Sequence, residues 1–115
     1  MKQLKKFRNK IQTQKESLSA QDKSISRPLS LNATSGDIEG DIDLVWEPVT
    51  GAYTYVVQMS SDYKTPVKWI NKDIVSRSSY TVPKLKSKHK YWFRVAAVGS
   101  KGQSLWSDPV WKKAP

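Results

Sequence analysis

The chain has 115 residues, a net charge of +10 and no cysteine, which fits one domain with a tail and excludes a disulfide framework or thiol chemistry. No apolar run approaches the ~20 residues of a membrane span, and the N-terminus lacks the apolar core of about 7–15 residues that marks a secretory signal. One histidine and no glycine-rich phosphate cradle leave nothing that assembles into a catalytic group, so neither enzyme activity nor a cofactor is expected.

Residues 1–27 carry eight Lys and Arg against two acids, more than half of the net charge. Leu4, Phe7, Ile11 and Leu18 fall at heptad-compatible spacings interrupted by Gln14. Four apolar residues on one stripe do not hold an isolated helix in water, so a flexible or weakly helical basic leader is expected. A solvated leader, a helix docking on a partner or an anionic surface, and a helix packed on its own domain are the readings it allows. The polar stretch Ser19 to Arg27 reads as a linker, and the folded domain is expected over 28–115.

Those 88 residues are enough to bury about 60–65% of their unfolded surface. A strand is expected over 29–34. In 41–47, Ile42, Leu44 and Trp46 alternate with Asp43, Val45 and Glu47, the period-2 pattern of a sheet with one face in a core. Pro48 and Gly51 punctuate the chain before a second alternating run at 53–60. Shorter strands are expected at 67–70 and 79–82. Tyr91, Phe93, Val95 and Ala97 then alternate with Trp92, Arg94 and Ala96 in a strand over 90–98, and a last strand is expected over 104–113.

Trp46, the pair Tyr55-x-Val57, the span Leu85-x5-Tyr91 and the closing Trp106-Ser-Asp-Pro109, taken in this order, resemble the fibronectin type III family over residues 28–115. The resemblance implies an all-β fold: an immunoglobulin-like β-sandwich of seven antiparallel strands held together by packing. It also implies structural roles for Trp46, Tyr55, Leu85 and Tyr91. Tyr91 would be the corner tyrosine, its ring buried and its hydroxyl bonded to backbone a few residues upstream. The chain is similar to bacterial stand-alone or C-terminal modules of the family, which serve as spacers or adhesion units. Family members are commonly extracellular or on the cell surface, whereas this sequence shows no classical signal peptide.

Several residue groups are candidates for function. Lys84, Lys86, Lys88 and Lys90 place four cations within seven residues, a pattern able to neutralise phosphates or sulfates with steep salt dependence. The acids Asp37, Glu39, Asp41 and Asp43 are expected at the same pole, where the two clusters would partly satisfy each other across the pole or between molecules. That acidic run lacks the spacing of a calcium loop, so no metal is expected. His89 stands among lysines with no carboxylate neighbour in sequence, and Asn32-Ala-Thr34 matches only the short glycosylation-acceptor pattern. Trp92, Arg94 and Trp106 resemble the arginine–tryptophan ladder of cytokine-receptor relatives, which would be structural. Trp69, Trp92 and Trp111 offer rings for stacking on sugars, against the reading that they pack on Lys and Arg stems.

Three functions follow, in order. The first is protein recognition, scaffolding or adhesion through a sheet edge or the face around Val56, Gln58, Trp92 and Arg94. The second is polysaccharide binding through the tryptophans. The third is attachment to nucleic acid or an anionic surface through Lys2, Lys5, Lys6, Arg8 and Lys10 together with the lysines of 84–90. A monomer is expected.

Overall fold

The computed structural model describes residues 25–115, and the expected leader lies outside them up to residue 24. Eight strands follow in order: β1 (Asn32–Ser35), β2 (Ile42–Val45), β3 (Ala52–Ser60), β4 (Ile70–Val75), β5 (Ser79–Val82), β6 (Lys90–Gly99), β7 (Gly102–Gln103) and β8 (Val110–Lys113). One sheet has the order β1-β2-β5. The other runs β4-β3-β6, with β7 and β8 both paired to β6. All pairings are antiparallel. Since β7 and β8 share one flank of β6, the eight segments fill seven positions, the arrangement of an immunoglobulin-like sandwich.

The period-2 pattern decides which side chains enter the space between the sheets. Ile42 and Leu44 from the smaller sheet meet Tyr55, Val57, Phe93, Val95 and Ala97 from the larger, all buried in one cluster. Phe93, Val57 and Val95 have no exposed surface. At about 25 cal/mol per Å² of apolar surface removed from water, this alternation is the main favourable contribution to the fold. Trp46 sits at 3% exposure with its ring edge-on to Tyr55 at 5.3 Å and 70°. Its indole N–H is buried without a hydrogen-bond partner among the described residues, a cost that the large buried ring offsets.

Three elements differ from the sequence expectation. The first strand begins at Asn32 and not at 29, because Ser30 adopts a left-handed φ of 58° that breaks the extended run. Across that kink, Glu47 N–H still donates to the Leu29 carbonyl at 3.0 Å. The strand expected at 67–70 is found at Ile70–Val75. Val67 and Trp69 instead belong to the connection before it, where both are half-buried. A bulge between Val57 and Gln58 sets the register of β4 on β3. Of the last expected strand, 104–113, only its end forms β8; Ser104 to Pro109 is irregular, and the short β7 lies just ahead of it at Gly102–Gln103. At the other end of the domain, Ile25 packs against the core, so folded contacts start ahead of residue 28.

Candidate functional site

The outer face of the larger sheet follows from the same alternation that builds the core. With Tyr91, Phe93 and Val95 turned inward, Lys90, Trp92 and Arg94 must point outward. The register places Gln58 opposite Arg94 and Val56 opposite Ala96 on β3, and Trp111 opposite Trp92 and Lys113 opposite Lys90 on β8. Trp69 and Trp106 reach the same face from the segments before β4 and between β7 and β8.

These side chains interlock. The Arg94 guanidinium lies 4.5 Å from the Trp69 ring centre and 4.2 Å from that of Trp106, so the cation is flanked by two indoles. Its Nε donates to Gln58 Oε1 at 2.8 Å, and Gln58 Nε2 in turn donates to Asn71 Oδ1 at 2.8 Å. Lys90 Nζ sits 4.3 Å from the Trp111 centroid and 5.8 Å from that of Trp92. Tyr63 joins the two groups: it stacks on Trp92 at 5.3 Å and 15° and meets Trp69 edge-on at 6.0 Å and 82°. Each exposed cation–π contact contributes about 0.5–1 kcal/mol, and the linked contacts fix long side chains in a single arrangement. Burial holds the Arg94 guanidinium below its ordinary value, opposed by the proximity of Tyr63.

Most of the expected surface residues therefore come together: Val56, Gln58, Trp69, Trp92, Arg94 and Trp106 are half-buried side by side, and Trp111 stays 55% exposed. Lys90 changes company. Expected with Lys84, Lys86 and Lys88 as an anion-binding quartet, it instead lies on the tryptophan row, because strand parity places it two residues before Trp92 on the same face. The other three lysines are exposed on the loop between β5 and β6. Tyr63 was not anticipated, since it sits in a polar loop, and its nearness in sequence to Trp69 was the only signal of it.

The residues expected to be structural occupy the ends of the sandwich. Tyr55 hydroxyl accepts the Val49 N–H at 2.9 Å, and Tyr91 hydroxyl accepts the Lys86 N–H at 3.0 Å. Leu85 is half-buried at the Tyr91 end, and its N–H donates to the Gly40 carbonyl at 2.8 Å. The acidic turn and the lysine loop thus touch through backbone, but their charges do not pair. Among the described residues the one ion pair is Arg27 with Asp108 at 4.0 Å, while Asp43 accepts from the Thr81 hydroxyl at 2.7 Å. Within one molecule no ion pair joins the two clusters among the described residues: the contact is made by Gly40 and Leu85, while Lys84, Lys86 and Lys88 are exposed.

A concavity of about 690 Å³ opens between the edges of β4 and β5, lined by Asp43, Val45, Ile74, Arg77 and Tyr80 among others. Burial, with the nearby Asp73 carboxylate, pushes the Tyr80 phenol up from its ordinary value, so it stays protonated and is no base near neutral pH. None of the expected surface residues lines it. Among the described residues no group of three or more His, Cys, Asp or Glu is placed to hold a metal ion, and no helix is long and apolar enough to cross a membrane.

No curated protein sequence matches the chain. Among solved structures, a fibronectin type III-like protein from Clostridium thermocellum is similar at 22% identity, over 80% of this chain and 93% of that one, with a TM-score of 0.67. The FN5 domain of Drosophila Lar is similar at 24% identity, over 80% and 98% of the two chains, with a TM-score of 0.64. The fibronectin type III domain of human fibronectin type III domain containing protein 3 is similar at 25% identity, over 78% and 85%, with a TM-score of 0.64. The model of the fibronectin type III domain matches residues 26–112, so the chain belongs to the fibronectin type III family, whose domains commonly serve as binding or scaffold modules.

Proposed function

We propose that this domain is a non-catalytic recognition module that binds another protein through the outer face of the larger sheet, around Val56, Gln58, Trp92 and Arg94. The observation that carries the reading is the interlocked row from Trp111 through Lys90, Trp92, Tyr63, Trp69 and Arg94 to Trp106. Binding costs about 0.5–1.5 kcal/mol for each long side chain that must be immobilised. Here the stacking has already immobilised them. Trp, Tyr and Arg are also the residues enriched where interfaces draw most of their energy. The same contacts weigh against sugar stacking as the main role, because Arg94 covers one ring face of Trp69 and of Trp106 and Lys90 covers one of Trp111. Attachment through the basic leader rests on residues outside those described.

The test places a photo-crosslinking residue at position 111 on the outer face of the larger sheet, and at position 45 on the smaller sheet. Both sites are about half exposed, at 55% and 49%. Defined protein adducts are expected from position 111, with few or none from position 45. Equal yields from both positions, or adducts with glycan alone, would count against the reading.

A further inference from the structure

The recognition face holds an unanswered charge. Arg94 Nε is bonded to Gln58, but the guanidinium makes no other side-chain hydrogen bond and no ion pair among the described residues. Its two terminal nitrogens therefore form a fork without an acceptor among the described residues, while the group is flanked by Trp69 and Trp106. Lys90, over Trp111, likewise has no acid within ion-pair distance among the described residues. Asp62, next to Tyr63, is the one acid beside this face, and it forms no ion pair with Lys90 or Arg94 among the described residues; other acids are engaged elsewhere. Asp43 holds Thr81, Glu47 accepts from Ser30, Asp73 accepts the Ile74 N–H and Asp108 is beside Arg27.

Resting on the protein-recognition reading, we propose that the partner presents an extended acidic segment. One of its carboxylates seats on the terminal fork of Arg94, and a second lies four residues away beside Lys90. A planar guanidinium held rigid is matched to a carboxylate through two parallel N–H···O bonds. Lys90 and Arg94 are four residues apart on one strand, about 13 Å of rise, which is also the separation of residues i and i+4 in an extended peptide. Residue i+2 of that peptide turns to the same side and meets the Trp92 and Tyr63 rings between the two cations. The pattern of charge, apolar surface and charge fits a polypeptide. It fits a nucleic-acid strand poorly, since that offers a phosphate about every 3.4 Å along the axis and would leave the rings facing anions.

The experiment titrates the isotope-labelled full chain with acetyl-Glu-Ser-Val-Ser-Glu-amide, following the Arg94 Nε–Hε signal and the indole signals by NMR. The same peptide with both Glu replaced by Gln, inorganic phosphate and a heparin hexasaccharide are run alongside. Saturable shifts of Arg94, Trp69, Trp106 and Trp111 are expected with the glutamate peptide and not with the glutamine peptide. Arg94→Lys keeps a cation between the indoles but removes the fork, and is expected to weaken binding roughly 10–100-fold. Lys86→Gln, on the distant loop, is expected to change it less than about twofold. The proposal is overturned if the glutamine peptide binds as well, if Arg94→Lys binds as tightly as the parent, or if heparin or phosphate moves these signals and the peptide does not. Protein adducts from position 111 that form in the same yield in Arg94→Lys as in the parent, at subsaturating partner, would leave protein recognition standing and sink the carboxylate anchor alone. Absence of protein adducts from the parent chain counts against recognition itself.

Discussion

Replacing Ser104 and Ser107 together by alanine is expected to destabilise the domain by about 3 kcal/mol or more, lowering its melting temperature by roughly 12 °C or more. Between β7 and β8 the chain leaves the flank of β6, and Pro109 has no N–H to offer. The two serines take over the missing strand. Ser104 N–H donates to the Ala97 carbonyl at 2.8 Å and Ser107 N–H to the Val95 carbonyl at 2.8 Å. In return, Ala97 N–H donates to the Ser104 hydroxyl at 2.9 Å and Val95 N–H to that of Ser107 at 3.0 Å. Val95 and Ala97 have no exposed surface, and the serines are 6% and 4% exposed, so water is poorly placed to replace the hydroxyls. Each buried N–H left without an acceptor costs about 1–3 kcal/mol. Urea denaturation of the double variant, beside an exposed control such as Ser61→Ala held within about 0.5 kcal/mol, is the check. A midpoint like that of the control would show that the stitching contributes little.

Gly40→Ala is expected to cost about 2–4 kcal/mol through two separate effects. Gly40 has φ of 89°, a region that a residue with a Cβ enters only with strain. A Cβ built there would stand 2.8 Å from the Leu85 carbonyl oxygen, a backbone atom unable to swing aside. The position also ties three segments together: its carbonyl accepts the Leu85 N–H at 2.8 Å and its N–H donates to the Pro115 carbonyl at 3.1 Å. Displacing Leu85 disturbs the adjacent bond from Lys86 N–H to the Tyr91 hydroxyl. A calorimetric scan should show a single transition at lower temperature, whereas Gly102→Ala, at φ of 113° but with open space around the added carbon, carries the backbone strain alone and should cost less.

The alternation of Ile42 and Leu44, and of Tyr91, Phe93 and Val95, made the core readable in the sequence, because a half-buried strand has no other way to distribute its side chains. It also made half of the outer face of the larger sheet readable, since the inward set determines the outward one. What stayed hidden depended on distance along the chain. Lys90 looked like the end of a lysine run, yet parity puts it with Trp92, and only the register with β8 brings Trp111 beneath its ammonium group. Tyr63 enters the row from a loop with no periodicity to read. Ser104 and Ser107 looked like part of a last strand, since serine in an alternating run does not reveal whether its hydroxyl faces solvent or replaces a backbone partner. Strand β4 was displaced for a related reason: Val67 and Trp69 alternate like a strand but stay outside the hydrogen-bond ladder, with Trp69 packed on Arg94.

The claim that the ladder face is where this domain meets its partner is tested most directly by an amide and indole NMR correlation map of the labelled full chain. It is recorded alone and then with separate protein, glycan and short DNA fractions, at low salt and at about 0.3 M, where exposed charges more than roughly 6 Å apart are screened. The account predicts that the protein fraction moves the indole signals of Trp69, Trp92, Trp106 and Trp111 and the amides of β3 and β6, and that these shifts persist at the higher salt. Shifts confined to the leader and to Lys84, Lys86 and Lys88, present only at low salt, would contradict it and leave the sandwich as a spacer for a basic tail.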